Sequence, residues 1–277
     1  MSTETIHRAV SADGTEIAGR VVGQGPPLVL LHGALFSGET AFEEMLPYLS
    51  DRYTCFLPST RGRGLSANGE EFTGERLLED VLAFVNSIGQ PVPMFGWSGG
   101  GMMALGAAAS GEAVSSVIAY EPAVLEEWDE EFLGIFGDTV AKMNAEVEQG
   151  RPAEAARLFM DVVCDDDEFD AMMAKGLHEV AAPDVPADLR LFENLDPAGP
   201  SMTDPDLLAT ITVPILLLEG DHTMPVFERG NRHVAEHAPN AENRIVPGAG
   251  GHAGPGLAPD TVASELIGFL EGAHETA

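Results

Sequence analysis

The sequence predicts an α/β fold, with a mostly parallel sheet of eight strands, helices on both faces of the sheet and a helical insertion after the sixth strand. Three observations lead to this prediction. Short apolar runs alternate with amphipathic stretches, strand patterns stop between residues 122 and 210, and 44% of the 277 residues are apolar. A chain of this length and composition can fill the core of a single α/β unit.

The first two predicted strands, residues 6–10 and 16–23, are separated by the turn Asp13-Gly14. Such a short connection favours an antiparallel pair at one edge of the sheet. The other strand candidates are apolar throughout and separated by helices, which is typical of a parallel sheet covered on both faces. They are residues 28–31, 53–57, 92–95, 117–120, 215–218 and 243–246. The helices predicted between and after them are residues 39–49, 75–88, 100–110, 226–237 and 261–271.

The segment of residues 122–210 interrupts this alternation, because it contains no convincing strand pattern. Apolar side chains recur in it at helical spacing, as in Phe132, Phe136, Val140 and Met143. We expect it to form a helical lid over the carboxyl edge of the sheet, where ligands of open α/β folds bind. Residues 1–121 and 211–277 would then form the core domain.

The charge of the chain limits its partners. Fourteen Lys and Arg residues against 45 Asp and Glu residues give a formal charge of −31. Such a surface repels phosphate backbones and anionic lipids, so we expect neither nucleic acid nor a membrane as a partner. No apolar stretch approaches the roughly 18–20 residues that a membrane span needs.

Two further features predict a cytoplasmic protein. The start of the sequence, MSTETIHRAV, lacks the basic and apolar regions of a secretory signal. The two cysteines, Cys55 and Cys164, are too few for a disulfide scaffold and fit a reducing compartment.

The acidic surface also favours a halophilic or salt-tolerant source. Only Lys142 and Lys175 are lysines, and counterions at high salt would screen the mutual repulsion of so many carboxylates. This hypothesis predicts a melting temperature that rises steeply with KCl concentration. A flat response would contradict it.

The most informative motif is Gly96-Trp97-Ser98-Gly99-Gly100, which lies between a predicted strand and a predicted helix. A strand, the pattern Gly-x-Ser-x-Gly and a helix together are typical of a nucleophile elbow, a strained turn that presents a serine hydroxyl above the sheet. Side chains in place of Gly96 and Gly100 would collide across so tight a turn. The motif therefore indicates Ser98 as a nucleophile.

The same stretch has a rival interpretation. Gly99-x-Gly101-x-x-Ala104 matches a dinucleotide-binding fingerprint, and Glu121 ends the next strand at about the expected distance of roughly 20 residues. In that fingerprint the first glycine follows the strand directly, whereas two residues intervene here. The rest of the chain also carries the parts of a hydrolase in order, so a dinucleotide-dependent oxidoreductase is the less favoured alternative.

Two other loops follow predicted strands and complete a plausible catalytic set. His32-Gly33-Ala34 ends the third strand, where a backbone N–H could bind a developing oxyanion together with the N–H of Gly99. His252 lies in a glycine-rich loop after the last strand, which is well placed to meet a serine above the sheet.

The order HGA, STRGRGLS, GWSGG, LLLEGDHTMP and GAGGH resembles the α/β-hydrolase superfamily, in its lid-bearing serine hydrolase branch, over nearly the whole chain. The resemblance implies Ser98 as the nucleophile, His252 as the general base and the N–H groups of Ala34 and Gly99 as the oxyanion hole. It implies no cofactor. No metal is expected either, because no His/Cys spacing is typical of zinc and the run of Asp165 to Asp167 lacks a calcium-loop pattern.

Two positions depart from the pattern of the family. Ser59 replaces a usually structural Asp, and Thr223 stands where the acid of the triad is usual. A neutral hydroxyl cannot stabilise an imidazolium as a carboxylate does. Glu121, at the end of the sixth strand, is the first candidate for the missing acid and is also found in a similar subfamily with the sequence YEP. Asp221, in a shifted loop register, or no acid at all are the alternatives.

These residues predict a serine hydrolase that cleaves a small or medium carboxylic ester through an acyl-enzyme. Trp97 and Leu35 are candidates for lining the substrate pocket, although packing beneath the elbow would explain Trp97 equally well. Because Thr223 replaces the usual acid, a non-hydrolytic binding protein or a lyase on the same fold is the other alternative.

Overall fold

The computed structural model describes residues 5–196 and 199–275, and residues 1–4, 197, 198, 276 and 277 of the predicted core and lid ranges lie outside them. It contains one eight-stranded sheet. The strands are β1 (Thr5–Val10), β2 (Glu16–Gly23), β3 (Pro27–Leu31), β4 (Thr54–Pro58), β5 (Val92–Trp97), β6 (Val114–Tyr120), β7 (Ile215–Gly220) and β8 (Ala241–Val246). Each lies within three residues of a strand that the sequence predicts.

Helices cover both faces of the sheet. The helices that belong to the strand–helix alternation are α1 (Leu46–Leu49), α2 (Gly74–Ser87), α3 (Gly99–Ser110), α10 (Pro225–His237), α11 (Gly254–Leu257) and α12 (Pro259–Glu275). Those between β6 and β7 are α4 (Glu130–Glu148), α5 (Pro152–Val163), α6 (Asp166–Ala174), α7 (Leu177–Ala181), α8 (Val185–Phe192) and α9 (Pro205–Leu208).

The strands are ordered β1-β2-β4-β3-β5-β6-β7-β8 across the sheet. The strand β2 runs antiparallel to both β1 and β4, and all other neighbours are parallel. The predicted fold class and the antiparallel edge are therefore confirmed. Because β3, β5, β6 and β7 are adjacent and parallel, their carboxyl ends meet at one edge, which is where α/β folds place ligand sites.

The predicted helix at residues 39–49 is wrong over most of its length. Only Leu46–Leu49 is helical, and the residues before it form turns. Two side chains compete with helical hydrogen bonds there: the Thr40 hydroxyl accepts from the Ser37 N–H at 3.1 Å, and Arg20 donates to the carbonyl of Glu39 at 3.1 Å. Hydroxyl side chains commonly divert a backbone into turns in this way.

The helical segment, as we call residues 122–210, contains no strand among its described residues. Helix α4 begins where Asp129 caps the N–H of Phe132 at 2.8 Å, and α6 begins where Asp165 caps the N–H of Glu168 at 2.8 Å. Between α6 and α7 lies Gly176, whose φ of +69° allows one helix to end and the next to start. Within the described residues, no helix is long and apolar enough to cross a membrane.

Candidate active site

The turn that carries Ser98 connects β5 to α3 with a backbone that few side chains adopt. Ser98 has φ +56° and ψ −120°, outside the regions that L-residues populate easily. A Cβ at Gly96 would lie 2.3 Å from the carbonyl oxygen of Gly100, and a Cβ at Gly100 would lie 2.1 Å from that of Leu31. Both glycines are therefore required, as the sequence predicts, and the turn holds the serine at the carboxyl end of β5.

His252 lies in the loop between β8 and α11, and its ring is held on two sides. The Nδ1 atom lies 3.0 Å from Oε2 of Glu121, and the ring stacks on Phe227 with a centroid distance of 3.8 Å. Because an ionised carboxylate only accepts hydrogen bonds, this contact favours the tautomer that has the proton on Nδ1 and the lone pair on Nε2. Ser98 and His252 line the same small cavity.

Glu121 follows β6 directly and is fully buried. It has a φ of +43°. Among the described non-glycine residues, Leu35 and Ser98 are the other two with a positive φ. Its Oε1 atom accepts from the N–H of Gly220 at 3.0 Å and from the hydroxyl of Thr223. Thr223, in the place usual for the acid, thus donates a hydrogen bond to the carboxylate that contacts His252.

Asp221, the alternative acid from the sequence, makes different contacts. Its two carboxylate oxygens accept from the N–H groups of Gly248 at 3.0 Å and Gly250 at 3.1 Å. These two hydrogen bonds hold its pKa below the ordinary value. Its carboxylate fixes the loop that precedes His252, and Glu121 is the carboxylate that meets the imidazole.

Ala34 and Gly99, whose N–H groups are predicted to bind an oxyanion, line one large cavity together with Ser98. Gly99 is the first residue of α3, so its N–H has no partner within the helix. The loop of Ala34 approaches the elbow closely: a Cβ added at Gly33 would lie only 3.1 Å from the Cβ of Ser98.

A buried ion pair connects the loop of Ala34 to the helical segment. Asp188 of α8 pairs with Arg63, and its Oδ2 accepts from the N–H of Leu35 at 2.9 Å. Arg63 in turn donates to the carbonyl of Gly33 at 3.4 Å. Burial raises the pKa of Asp188 to about 6, although the charge of Arg63 and the Leu35 hydrogen bond oppose the shift. The residues before and after Ala34 are thereby fixed.

A second carboxylate of the helical segment reaches the loop of His252. Oε1 of Glu168, in α6, accepts from the N–H of Gly251 and from the N–H of Ala253, each at 2.9 Å. Burial raises the pKa of Glu168, and these two hydrogen bonds oppose the shift. The sequence prediction did not include Glu168 or Asp188.

Residues 59–66, which follow β4, form hydrogen bonds with the loop that follows β3. Ser59 accepts from the N–H of Gly38 at 2.9 Å and donates to Glu39 at 2.6 Å, so a hydroxyl does the structural work at this position. His32 accepts from the N–H of Thr60 at 3.1 Å through Nε2. Desolvation, with the charge of Arg63, lowers the pKa of His32 to about 3, so its ring stays neutral.

Two cavities of different size meet at Ser98. The larger has a volume of about 600 Å³, and the helical segment contributes to it the aromatic side chains of Trp128, Phe132, Phe136, Phe159 and Phe192. The smaller has a volume of about 30 Å³. It is lined by His252 and by mostly apolar side chains, including the predicted pocket residues Trp97 and Leu35.

Trp97 is largely buried and also packs beneath the elbow. Its Nε1 atom donates to the carbonyl of His252 at 2.7 Å, and its ring stacks on Phe36. Trp97 therefore both lines the small cavity and packs against neighbouring residues. In the part of the chain that the structure describes, no group of three or more His, Cys, Asp or Glu residues is arranged to hold a metal ion.

Comparison with known proteins identifies the family. The model of the alpha/beta hydrolase family matches residues 28–265. A pimeloyl-[acyl-carrier protein] methyl ester esterase of Stenotrophomonas maltophilia is 29% identical over 270 residues, which cover 90% of this chain and 95% of that protein. The chain therefore belongs to the alpha/beta hydrolase family, and it is a hydrolase with esterases among its relatives.

Solved structures agree in fold. An alpha/beta hydrolase of Sphaerobacter thermophilus is 25% identical with a TM-score of 0.72, over 95% of this chain and all of that one. An esterase of Rhodococcus sp. ECU1013 is 24% identical with a TM-score of 0.77, over 96% of this chain and 98% of that one. These alignments span both the sheet and the helical segment of this chain.

Proposed function

We propose that this hydrolase is a serine carboxylesterase in which Ser98 is the nucleophile, His252 the general base and Glu121 the acid. The observation that carries the proposal is the 3.0 Å contact between His252 Nδ1 and Glu121 Oε2, at the same sheet edge as the strained turn of Ser98. Glu121 orients the ring and stabilises the imidazolium that forms when the ring accepts a proton. The buried position of Glu121 strengthens this interaction.

The proposed reaction has two steps. Ser98 Oγ attacks the ester carbonyl while Nε2 of His252 takes its proton, and the N–H groups of Ala34 and Gly99 bind the oxyanion. His252 returns that proton to the departing alcohol, which leaves an acyl-enzyme. Water, activated by His252, then attacks the acyl group, releases the acid and restores the proton of Ser98. No cofactor enters this scheme.

The two cavities support a division of the substrate. A leaving alcohol must lie beside the imidazole that protonates it, and the small cavity of about 30 Å³ contains His252. This volume admits a group of one or two heavy atoms, since a cavity of roughly 10–15 Å³ already holds a water molecule. The large aromatic cavity would take the acyl group. We therefore propose that the substrates are esters of small alcohols with apolar acids. The relative from Stenotrophomonas maltophilia, named as a methyl ester esterase, supports a small alcohol.

We also propose that the helical segment is the lid predicted from the sequence, inserted into a core of residues 1–121 and 211–277. The segment supplies the aromatic wall of the large cavity, including Trp128, Phe136 and Phe192. It would thus set acyl specificity while the core supplies the reacting groups. The formal charge of −31 disfavours nucleic acid and membrane surfaces as partners, so we propose a small-molecule partner.

The alternatives from the sequence find less support. In a dinucleotide-binding protein the carboxylate of Glu121 would bind ribose hydroxyls, yet it is fully buried and contacts Gly220, Thr223 and His252. A binding protein or lyase without an acid was suggested by Thr223. The contact of Glu121 with His252, and the hydrogen bond that Thr223 donates to Glu121, favour a triad over that alternative.

The test of the chemistry is intact-mass labelling with a fluorophosphonate probe in high-salt buffer. We expect one adduct on the native protein and none on Ser98→Ala. A folded native protein that takes no label would contradict the proposal, and ligand-induced thermal shifts would then test the binding-protein and dinucleotide alternatives.

The test of substrate division uses methyl and butyl esters of one aromatic acid. We expect higher kcat/KM on the methyl ester, and a shift toward the butyl ester in Met172→Ala, because Met172 lines the small cavity. Met143→Ala is the matched control, since Met143 is a buried methionine of the same segment that lines neither cavity. Equal preference in all three proteins would contradict the assignment.

A further inference from the structure

The carboxylate of Glu168 is buried against the loop that carries His252. Its Oε1 atom accepts hydrogen bonds from the residues on either side of the histidine, from Gly251 N and Ala253 N, at 2.9 Å each. The acceptor comes from α6, which is separated from this loop by more than eighty residues in sequence. One atom of the helical segment therefore fixes two peptide groups that flank the proposed base.

The loop is fitted closely to this carboxylate. A Cβ at Gly251 would lie 2.9 Å from Oε2 of Glu168 and 3.2 Å from the carbonyl oxygen of His222. The loop carbonyls are held from the core: Tyr120 donates to Gly251 O and Trp97 to His252 O, each at 2.7 Å. The carbonyl groups are thus anchored by the sheet, and the two N–H groups by the helical segment.

Retaining a carboxylate at this place has an energetic cost. Desolvation raises the pKa of Glu168, which means that burial opposes its charged form. Removing the side chain would leave two buried N–H groups without an acceptor, which is unfavourable in its own right. Both hydrogen bonds therefore require α6 to lie against the loop.

We propose that Glu168 is a positioning residue of the reaction, which holds the peptide groups around His252 so that Nδ1 stays on Glu121 while Nε2 faces Ser98. The inference rests on the proposed function, because it assigns a consequence for turnover to the placement of the base. It makes catalysis depend on the seating of the helical segment, which otherwise would only shape the pocket.

Two substitutions separate position from charge. Glu168→Gln keeps the length of the side chain and an acceptor oxygen but removes the charge. Glu168→Asp keeps the charge but shortens the reach by one methylene. Glu168→Ala removes both. Asp129→Ala is the matched control, because Asp129 caps helix α4 of the same segment and its carboxylate bonds to Phe132 N and Arg229, which belong neither to the turn of Ser98 nor to the loop of His252.

The measurements are kcat and KM on one methyl ester, the pH dependence of kcat, the rate of fluorophosphonate labelling and the melting temperature. We expect Glu168→Gln to keep kcat within about threefold, and Glu168→Asp and Glu168→Ala to lose about ten- to a hundredfold with KM nearly unchanged, as for a misplacement of about 1 Å. Labelling of Ser98 should slow in parallel. Asp129→Ala should lower the melting temperature but keep kcat.

The opposite order would overturn the proposal. If Glu168→Asp keeps activity while Glu168→Gln loses it and shifts the pH profile of kcat, the charge of Glu168 acts on the imidazolium and its reach is irrelevant. If all three Glu168 variants match Asp129→Ala, the residue is only structural. A native protein that neither hydrolyses the ester nor takes the label would contradict the proposed function instead, so the two failures are distinguishable.

Discussion

The turns after β6 and β7 lie side by side at the edge of the sheet, and they divide one task between them. The β6 turn carries Glu121, whose carboxylate meets the ring of His252. The β7 turn carries Thr223 and Gly220, which donate hydrogen bonds to that carboxylate, and Asp221, which holds the loop before the histidine. In the proposed triad, one turn supplies the acid and its neighbour donates the hydrogen bonds that hold it.

If the proposed triad is correct, the acid is defined by its reach and by its hydrogen-bond partners. A side chain that starts one strand further along the sheet can meet the same imidazole nitrogen, provided that its neighbours fix it there. Glu has one methylene more than Asp, which lengthens its reach. The residue after a given strand is therefore a weaker guide than the hydrogen bonds that converge on the histidine.

The largest effect should come from breaking the β6 side of this pair. Glu121→Gln is expected to lower kcat by about 10³–10⁴-fold, because an amide can hold His252 in the wrong tautomer and cannot stabilise its charge. Single-turnover acylation with a chromogenic methyl ester measures the loss. Glu219→Gln is the control, since its buried carboxylate contacts Asn231 and should leave kcat within about threefold. Similar losses in both variants would contradict the distinct role of Glu121.

A transfer of the acid from β6 to β7 tests whether the second turn can also reach the histidine. In the double variant Glu121→Ala/Thr223→Asp, a carboxylate returns at the position usual for the family. We expect kcat to recover at least about tenfold relative to Glu121→Ala alone, a part of the 10²–10⁴-fold that a positioned acid–base partner contributes. Thr223→Asn in the same background is the uncharged control. No recovery would mean that the β7 turn cannot reach the ring.

A smaller effect is expected from breaking the β7 support alone. Thr223→Val removes the hydroxyl that donates to Glu121 and keeps the shape of the side chain. A hydrogen bond to a charged group contributes about 1.5–3 kcal/mol, so we expect kcat to fall roughly tenfold to a hundredfold. Thr223→Ser, which retains the hydroxyl, should keep the native kcat, and a loss as large in Ser as in Val would overturn this account.

Much of the site follows from the sequence because its signals are local. The elbow of Ser98 is marked by glycines that the steep turn requires. Glu121 stands directly after a recognisable strand, and His252 lies in the glycine-rich loop that follows the last one. The helix predicted at residues 39–49 failed because tertiary contacts of Arg20 and the hydroxyl of Thr40 override helical periodicity there.

Glu168 and Asp188 could not be found in the same way. Asp165 and Glu168 match the spacing of an ordinary capping box, and Asp165 does cap the helix at 2.8 Å. In a chain with 45 acidic residues, one more carboxylate on an amphipathic helix carries no distinguishing pattern. Their contacts with the loops of His252 and Ala34 appear only when the helical segment is packed on the sheet.

The smallest effect on activity is expected at Asp221. Asp221→Asn should leave kcat within about twofold, because the side chain does not meet the imidazole and an amide oxygen can still accept from one of the two N–H groups, those of Gly248 and Gly250. Since its pKa is lowered in the folded protein, its stabilisation is present above its ordinary pKa and is lost as pH falls through the lowered value. Urea denaturation from pH 7 to pH 3 should show a stability difference between native and variant that shrinks at the acid end. A difference independent of pH would contradict this.

The two carboxylates that reach from the helical segment into the core bear on how proteins of this kind can diverge. New substrate preferences could arise by exchanging a whole insertion between relatives, as a cassette. Here, Asp188 accepts a hydrogen bond from Leu35, and Glu168 accepts hydrogen bonds from Gly251 and Ala253. An exchanged insertion would bring a new pocket but would leave these N–H groups of the core without their acceptors. Recombination at the borders of residues 122–210 is therefore expected to yield active offspring only when those two acceptors are inherited together with the pocket.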